Sequence, residues 1–546
     1  MNPDDIPRDP TPAPEPGSEP EAAPAPKRPR VPRAAQAPGR VWLAALGAAV
    51  AAALLALLLF PHESMPDAAF EGDDALVSDL EASVDEDFVQ GMAVARFPVD
   101  DTGEVEWAFA GTSEGSTPVD ADTWFETASV FKTFTAMTLA DMVENGETSL
   151  ERTLGEVFPD TDFADDRIAD ATLEQVANHH AGLSPGAPGA PDRFVRGLVF
   201  GDAYRHALSP QEYLPQTTAT AQDSYVYSNI GYAVLAEALA QESGTPYEDL
   251  VRERVLDPLG MDDTVISEGI PEGGAPPYVE PGARSEEWVN TDYAGAGITT
   301  WSTTADLTRF MTAVADGTAP GMGALEVQRE NVEVTGLSDD AEESEGIGGN
   351  LNMGLGWHIL DVPDAGSVSW HSGGSLGTRT MVAVGEDEAV VIMANSFMVE
   401  TVPLGFELLS DDPEPIPGLP APVLIAQTVV MSLVPALMLL AFVARRRTLV
   451  TQRHLDRLRL VSFPLGALAW LLAALKFGAW SVTPHTVAAV AAGAIAAAVT
   501  VGVWHWKRVP GEAARWRWLH ITVFVLSLLF SLALGGFSAY GLIVVR

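Results

Sequence analysis

The sequence predicts a mixed α/β (α+β) fold: one antiparallel sheet flanked by helices, with a helical region inserted into it, carried on five transmembrane helices. Three observations predict it. Stretches with the two-residue alternation of strands bracket the acidic middle of the chain on both sides. Segments with the 3.6-residue apolar period of helices fill the interval between them. Five runs of roughly 20 apolar residues, each about long enough to cross a ~30 Å hydrocarbon core, flank that middle.

The spans run from Val41 to Phe60, Val423 to Ala444, Val461 to Val482, Val487 to Trp504 and Leu519 to Val545. Lys and Arg near span ends mark the cytoplasmic side. Arg28, Arg30, Arg33 and Arg40 precede the first span; Arg445, Arg446, Arg447, Arg453, Arg457 and Arg459 follow the second; Lys507, Arg508, Arg515 and Arg517 follow the fourth. The Ser481 to His485 connector has neither residue type. All four agree with a cytoplasmic N-terminus and an extracytoplasmic middle. Lys476, near the outer end of its span, reads as a structural residue whose stem snorkels to the interface. The first span reads as a retained anchor, because its leader is long and no small-x-small cleavage site follows Phe60.

The expected organisation is therefore a Pro-rich disordered cytoplasmic tail (1–40), a transmembrane helix (41–60), a linker (61–90), an extracytoplasmic domain (91–410) and a four-helix transmembrane region (411–546). Within the domain, Gly91 to Arg96 and Glu104 to Gly111 form a predicted hairpin across Asp100-Asp101-Thr102-Gly103. Gly354 to Leu360, Ser367 to Trp370 and Thr378 to Ala394 read as further strands, with Gly385-Glu386-Asp387-Glu388 as a turn. Helical periods cover Ser129 to Asn145, closed by Gly146, then Leu173 to His179, Ile230 to Ser243, Pro246 to Leu256 and Thr304 to Ala315. Residues 320–350 carry no period.

Composition excludes several functions. Residues 61–420 hold 67 Asp and Glu against 13 Lys and Arg, a net −54, while the remainder of the chain is +10. Nucleic acid is no partner for such a domain; its acids are scattered without a D-x-D-x-D-G run, and the acidity reads as solubility. Cysteine is absent, which removes thiol catalysis and Cys-ligated metals. His179 and His180 are adjacent, so they diverge on a helix, and no third ligand is spaced for zinc. No metal or cofactor is expected.

Lys132 is the only lysine between Lys27 and Lys476. Arginine cannot replace it as a base, because guanidinium stays protonated whereas a buried ammonium can be driven toward neutrality. Ser129 lies three residues earlier, on the same face of a helix that it opens, where the helix dipole favours a developing anion. Ser-x-x-Lys alone assigns nothing, since about 6% of lysines have a serine at that position by composition. Tyr225-Val226-Tyr227-Ser228-Asn229 precedes a helix and brings a phenol and an amide into one loop; by itself it is an ordinary turn. Trp370-His371-Ser372-Gly373-Gly374 ends a strand; by itself it is a glycine-rich strand end. The three in this order carry the signal.

Ser129-x-x-Lys132, Tyr227-Ser228-Asn229 and His371-Ser372-Gly373 together resemble the three motifs of the serine β-lactamase and penicillin-binding protein superfamily, in its class C β-lactamase-like branch. The resemblance spans about 90 to 396. Asn178 to Leu183, Asp257 to Met261, Gly295 to Ile298, Ser302 to Leu307 and Leu355-Gly356-Trp357 are similar too. It implies a β-lactamase/transpeptidase-like sheet, Ser129 as nucleophile, Lys132 and Tyr227 managing its proton, Asn229 positioning substrate, a structural capping role for His179, and an oxyanion hole from the N–H groups of Ser129 and Gly374.

The third motif departs, with His371 where lysine would stand. A histidine of pKa ~6.5 is mostly neutral at pH 7 and is a weak anchor for a carboxylate. The expected substrates are therefore esters or peptide amides, including D-amino acid or cell-wall peptides, rather than β-lactams; Arg379 on the next strand offers a substitute carboxylate anchor. The alternatives are a penicillin-recognising sensor acylated without turnover, and an inactive binding scaffold. The bilayer is the expected partner beside a small-molecule or peptide substrate, and the sequence carries no signal for oligomeric state.

Overall fold

The computed structural model describes residues 39–60, 68–185, 203–220, 223–332, 351–362, 366–410, 421–444, 457–509 and 517–544. Most of the predicted tail, residues 333–350 of the predicted loops, and Arg28, Arg30, Arg33, Arg445, Arg446, Arg447, Arg453 and Arg515 of the charge argument lie outside the described residues.

Thirteen strands are described: β1 (Glu71–Gly72), β2 (Gly91–Pro98), β3 (Glu106–Gly111), β4 (Trp124–Glu126), β5 (Val265–Ile266), β6 (Tyr278–Glu280), β7 (Ala283–Arg284), β8 (Thr300–Thr303), β9 (Leu351–Met353), β10 (His358–Val362), β11 (Gly366–Gly374), β12 (Arg379–Val384) and β13 (Glu388–Ala394). Eight make one sheet in the order β1-β3-β2-β13-β12-β11-β10-β9. Every pairing in it is antiparallel, and β2 joins β13 with Val94 opposite Ile392. The two ends of the domain are thus adjacent central strands, and the helical region is inserted between them as the alternation predicted. Both faces of these strands are covered: Val382 and Val391 pack into the core shared with the helices, while Met381, Ala383 and Ile392 pack into a second core on the far face.

The helix Phe131–Glu144 buries eleven of its residues and ends at Gly146, whose φ of +71° is the left-handed stop that glycine takes without strain. Asn229–Ser243 is capped by Ser228, whose hydroxyl accepts from the Gly231 N–H at 2.9 Å, and closes at Gly244. Thr303 caps Thr304–Ala315 by accepting from Asp306 N–H at 3.1 Å.

Several expectations are corrected. The predicted linker contains β1 and a helix, Asp74–Ser83, whose Leu76 and Leu80 are fully buried in the second core. Its acids occupy the solvent face, so charge density concealed a one-stripe amphipathic helix. The strand expected from Gly354 to Leu360 is interrupted: Gly354–Trp357 forms a turn at which Gly356 approaches Ala136 and the Tyr232 hydroxyl, a contact that a side chain would block. The small sheet β4-β8-β5 was not anticipated, its strands being too short for a period.

Among the described residues, five helices are long and apolar enough to cross a membrane: Gly39–Leu58, Ala421–Ala444, Arg459–Phe477, Thr486–His505 and Ile521–Ile543. The third is shorter than expected and stops at Phe477, because the chain turns at Gly478 and the Trp480 indole donates back to the Ala474 carbonyl at 2.7 Å. The first and fourth pack through small residues, with Gly493 against the Ala49 carbonyl. Phe60 stacks on His485, ring centroids 3.9 Å apart, and the Ser481 N–H donates to a Glu280 carboxylate oxygen at 3.2 Å. The 478–485 connector therefore abuts the domain that holds the eight-stranded sheet.

Candidate active site

Ser129 sits in a short 3-10 turn, Ala128–Val130, two residues before the α-helix rather than inside its first turn. Ala128 is held at φ +46°, a left-handed conformation costly for a residue with a Cβ, and the surroundings impose it. The Thr127 N–H donates to the Thr300 carbonyl at 3.0 Å, and the Thr380 hydroxyl donates to the Thr127 carbonyl at 2.8 Å. Strands from both sheets thus clamp the residue before the strained one, leaving Ser129 partly exposed on a rigid seat.

Two glycines make room for that seat. At Gly297, φ is +87° and a Cβ would fall 1.8 Å from the Ala128 carbonyl oxygen. At Gly373, a Cβ would fall 2.6 Å from the Thr127 carbonyl oxygen and 2.9 Å from the Ser129 nitrogen. Real Cβ atoms do not approach so closely, so β11 can lie against the serine turn only with glycine there.

Lys132 is fully buried, and its Nζ donates to Ser129 Oγ at 2.7 Å and to the Ala296 carbonyl at 2.8 Å. The amine also lies 4.9 Å from the centroid of the Tyr227 ring. Serine, lysine and tyrosine are thereby brought together from segments about 100 residues apart. Asn229 donates from Nδ2 to the Tyr204 hydroxyl at 2.6 Å, while its Oδ1 is buried with no hydrogen-bond partner among the described residues. His179 has φ +65°, and its Nδ1 accepts from the Ser228 N–H at 3.2 Å. It braces the Tyr227 loop at the N-cap of the Asn229 helix.

His371 is fully buried on β11. Its Nδ1 lies 2.6 Å from the Ser372 carbonyl oxygen. A carbonyl only accepts, so Nδ1 carries the ring proton, and Nε2 is left as an acceptor with no partner among the described residues. Burial, helped by the neighbouring His358 and Lys132, holds the His371 pKa well below 6.5. Burial and the nearby Lys132 push His179 the same way. In the unfolded chain both imidazoles titrate near 6.5. Below that pH the unfolded state binds more protons than the folded state, and stability falls as pH falls. The melting temperature is therefore expected to decline from pH 7 to pH 5, and His371→Gln to make that decline shallower. An unchanged slope in the variant would show that His371 is not held neutral.

Arg379 opens β12 opposite Gly374, and its Nη1 lies where a Cβ on that glycine would point. Its guanidinium stacks on Phe397 at 4.0 Å. Arg96, Arg152, Arg167, Arg252, Arg254, Arg284, Arg309 and Arg329 each hold a carboxylate. Arg379 has no ion pair among the described residues, in a domain with five acids for every base. Ser372 is buried on the same strand end, beside Gly373 and Gly374.

Sequence reasoning missed Tyr204, the Ala296 carbonyl and Thr380. That carbonyl lies in Gly295 to Ile298, where a Cβ on Gly295 would fall 2.5 Å from the Ala236 Cβ and one on Gly297 would fall 1.8 Å from the Ala128 carbonyl oxygen. Tyr204 had no sequence signal, since it lies in a segment without a period.

Residues 76–404 match the family described as Beta-lactamase. Penicillin-binding protein 4* of Bacillus subtilis (strain 168) is 24% identical over 290 residues, covering 48% of this chain and 58% of the relative. A beta-lactamase of Escherichia coli (strain K12) is 27% identical over 321 residues, covering 57% of this chain and 76% of the relative. Among solved structures, the class C beta lactamase from Rhodobacter sphaeroides superposes with a TM-score of 0.48 at 19% identity, covering 62% of this chain and 98% of that one.

Proposed function

The chain belongs to the beta-lactamase family, and from that premise we propose that it is a membrane-anchored serine hydrolase acting through an acyl-enzyme on ester or peptide-amide substrates. The observation that carries this reading is the 2.7 Å contact between the buried Lys132 amine and Ser129 Oγ. Ser129 Oγ attacks the substrate carbonyl while its proton passes to the Lys132 and Tyr227 pair. The resulting oxyanion is met by the backbone N–H groups of Ser129 and Gly374. The tetrahedral adduct collapses, the alcohol or amine leaves with the proton, and an ester to Ser129 remains. Water then adds to that ester and loses its proton to the same pair, and the acid is released.

The neutral, acceptor-only Nε2 of His371 favours substrates that offer it an N–H or O–H over those that need a cation there. Asn229 Oδ1 suits the N–H of an amide, and Arg379 suits a terminal carboxylate on peptide substrates. The family fold anchored by apolar spans, with Arg40, Arg457, Arg459 and Lys507 at one set of helix ends, supports a multi-pass protein of the cell membrane. Its N-terminus would be cytoplasmic and its catalytic domain extracytoplasmic.

The test treats membranes carrying the full chain with a fluorophosphonate and a labelled penicillin, then measures turnover of a chromogenic ester and a chromogenic cephalosporin. Labelling lost in Ser129→Ala and ester turnover well above cephalosporin turnover are expected. Comparable cephalosporin turnover would overturn the substrate assignment. A long-lived adduct with both substrates would make the protein a sensor rather than an enzyme.

A further inference from the structure

The membrane bundle contains a cavity of ≈ 770 Å³ between the first, third, fourth and fifth spans. That volume lies within the roughly 300–1,000 Å³ of sites that enclose a small ligand. Its walls include Ala52 and Ala56 of the first span, Leu472 of the third, Ala488 and Ala492 of the fourth and Leu542 of the fifth. Alanines stand where leucines would close the gap. The lining residues sit near the C-terminal ends of the first, third and fifth spans and the N-terminal end of the fourth, so the cavity occupies the half of the bundle next to the catalytic domain. A buried water needs two to four polar partners, which these walls do not supply, so the space suits hydrocarbon.

A cation stands at the mouth. Lys476 follows the lining residue Leu475, and its stem lies across Gly541, where a Cβ would fall 2.4 Å from Cε and 2.5 Å from Nζ. Only glycine lets the amine occupy this position between the lining residues Ala539 and Leu542. Its Nζ lies 5.9 Å from the centroid of the Phe477 ring and Glu286 of the outer domain acts on it electrostatically, but among the described residues Lys476 has neither a hydrogen bond nor an ion pair. An ammonium at the cavity mouth, beside the outer end of its span, calls for an anion joined to a hydrocarbon chain.

We propose that the cavity binds one anionic phospholipid from the leaflet facing the catalytic domain, with an acyl chain between the alanines and the headgroup phosphate on Lys476. The amine supplies up to three donors to the phosphate oxygens. The lipid seats the 478–485 connector, and through the Ser481 to Glu280 contact it steadies the catalytic domain on the bilayer.

The full chain is reconstituted into nanodiscs of equal phosphatidylglycerol and phosphatidylcholine, extracted in mild detergent and examined by native mass spectrometry. About tenfold preferential retention of phosphatidylglycerol is expected. Lys476→Gln should bring the two lipids to parity, and Ala492→Trp, which fills the cavity, should reduce retention of both. Gel-filtration elution identical to wild type identifies folded variants, and Ala496→Phe replaces Ala492→Trp if that variant misfolds. Equal retention of both lipids by the wild type, or retention unaffected by the substitutions, would overturn the proposal.

Discussion

Ser129→Ala is expected to lower kcat for an ester substrate by about 10⁴-fold or more and to leave the melting temperature within a few degrees of wild type. The serine is partly exposed and contributes little packing, so its loss removes chemistry without removing core. Lys132→Arg should lose nearly as much activity, because a guanidinium cannot accept the proton that Oγ must shed. The amine bonds to both Ser129 Oγ and the Ala296 carbonyl, and the longer planar group cannot satisfy both. Residues acting as a unit give non-additive losses, so the double variant should be no worse than Ser129→Ala alone. Steady-state kinetics on the three proteins decides it. Losses that multiply in the double variant would separate the two residues into independent roles.

Gly373→Ala is expected to reduce kcat by on the order of 10²- to 10³-fold, the usual cost of losing an oxyanion donor. The added methyl meets the Thr127 carbonyl at 2.6 Å, the Ser129 nitrogen at 2.9 Å and the Thr380 hydroxyl at 2.3 Å. Two of those three are backbone atoms that cannot turn aside, so the strand end must move away from the serine turn and carry Gly374 with it. Overpacking of this kind also destabilises by about 1–3 kcal/mol, a shift of a few degrees in a domain of this size. The comparison is Ser372→Ala on the same strand, which removes a hydroxyl and adds nothing. A Gly373→Ala enzyme with wild-type kcat would show that β11 does not set the geometry at Ser129.

How much was legible depended on how local the cause was. The Phe131 and Asn229 helices and the β2–β3 hairpin were visible because their apolar period and their stops at Gly146 and Gly244 act over a few residues. The Asp74–Ser83 helix was not, because its two buried leucines acquire meaning only when the second core of Trp370 and Phe406 stands opposite them. The end of the third span was misread for a related reason: apolar residues continue past Phe477, and only the Trp480 indole bonding back to Ala474 shows that the chain has turned.

The same division runs through the site. A lone lysine three residues after a serine pointed to Ser129 and Lys132, because side-chain reach on one helical turn is a property of spacing. The neutrality of His371 follows from burial beside Lys132 and His358, a neighbourhood assembled by three separate segments. The lack of an ion pair at Arg379 depends on where every acid in the domain ended up. By itself the sequence determined the mixed α/β class, the longer helices and strands, the five apolar spans and the family, since local period and the order of three motifs carry them, and it pointed to Ser129 and Lys132 as the reactive pair. Tertiary structure alone decided which polar groups lost their water and which cations have no ion pair among the described residues, because desolvation and pairing belong to surroundings that distant residues create.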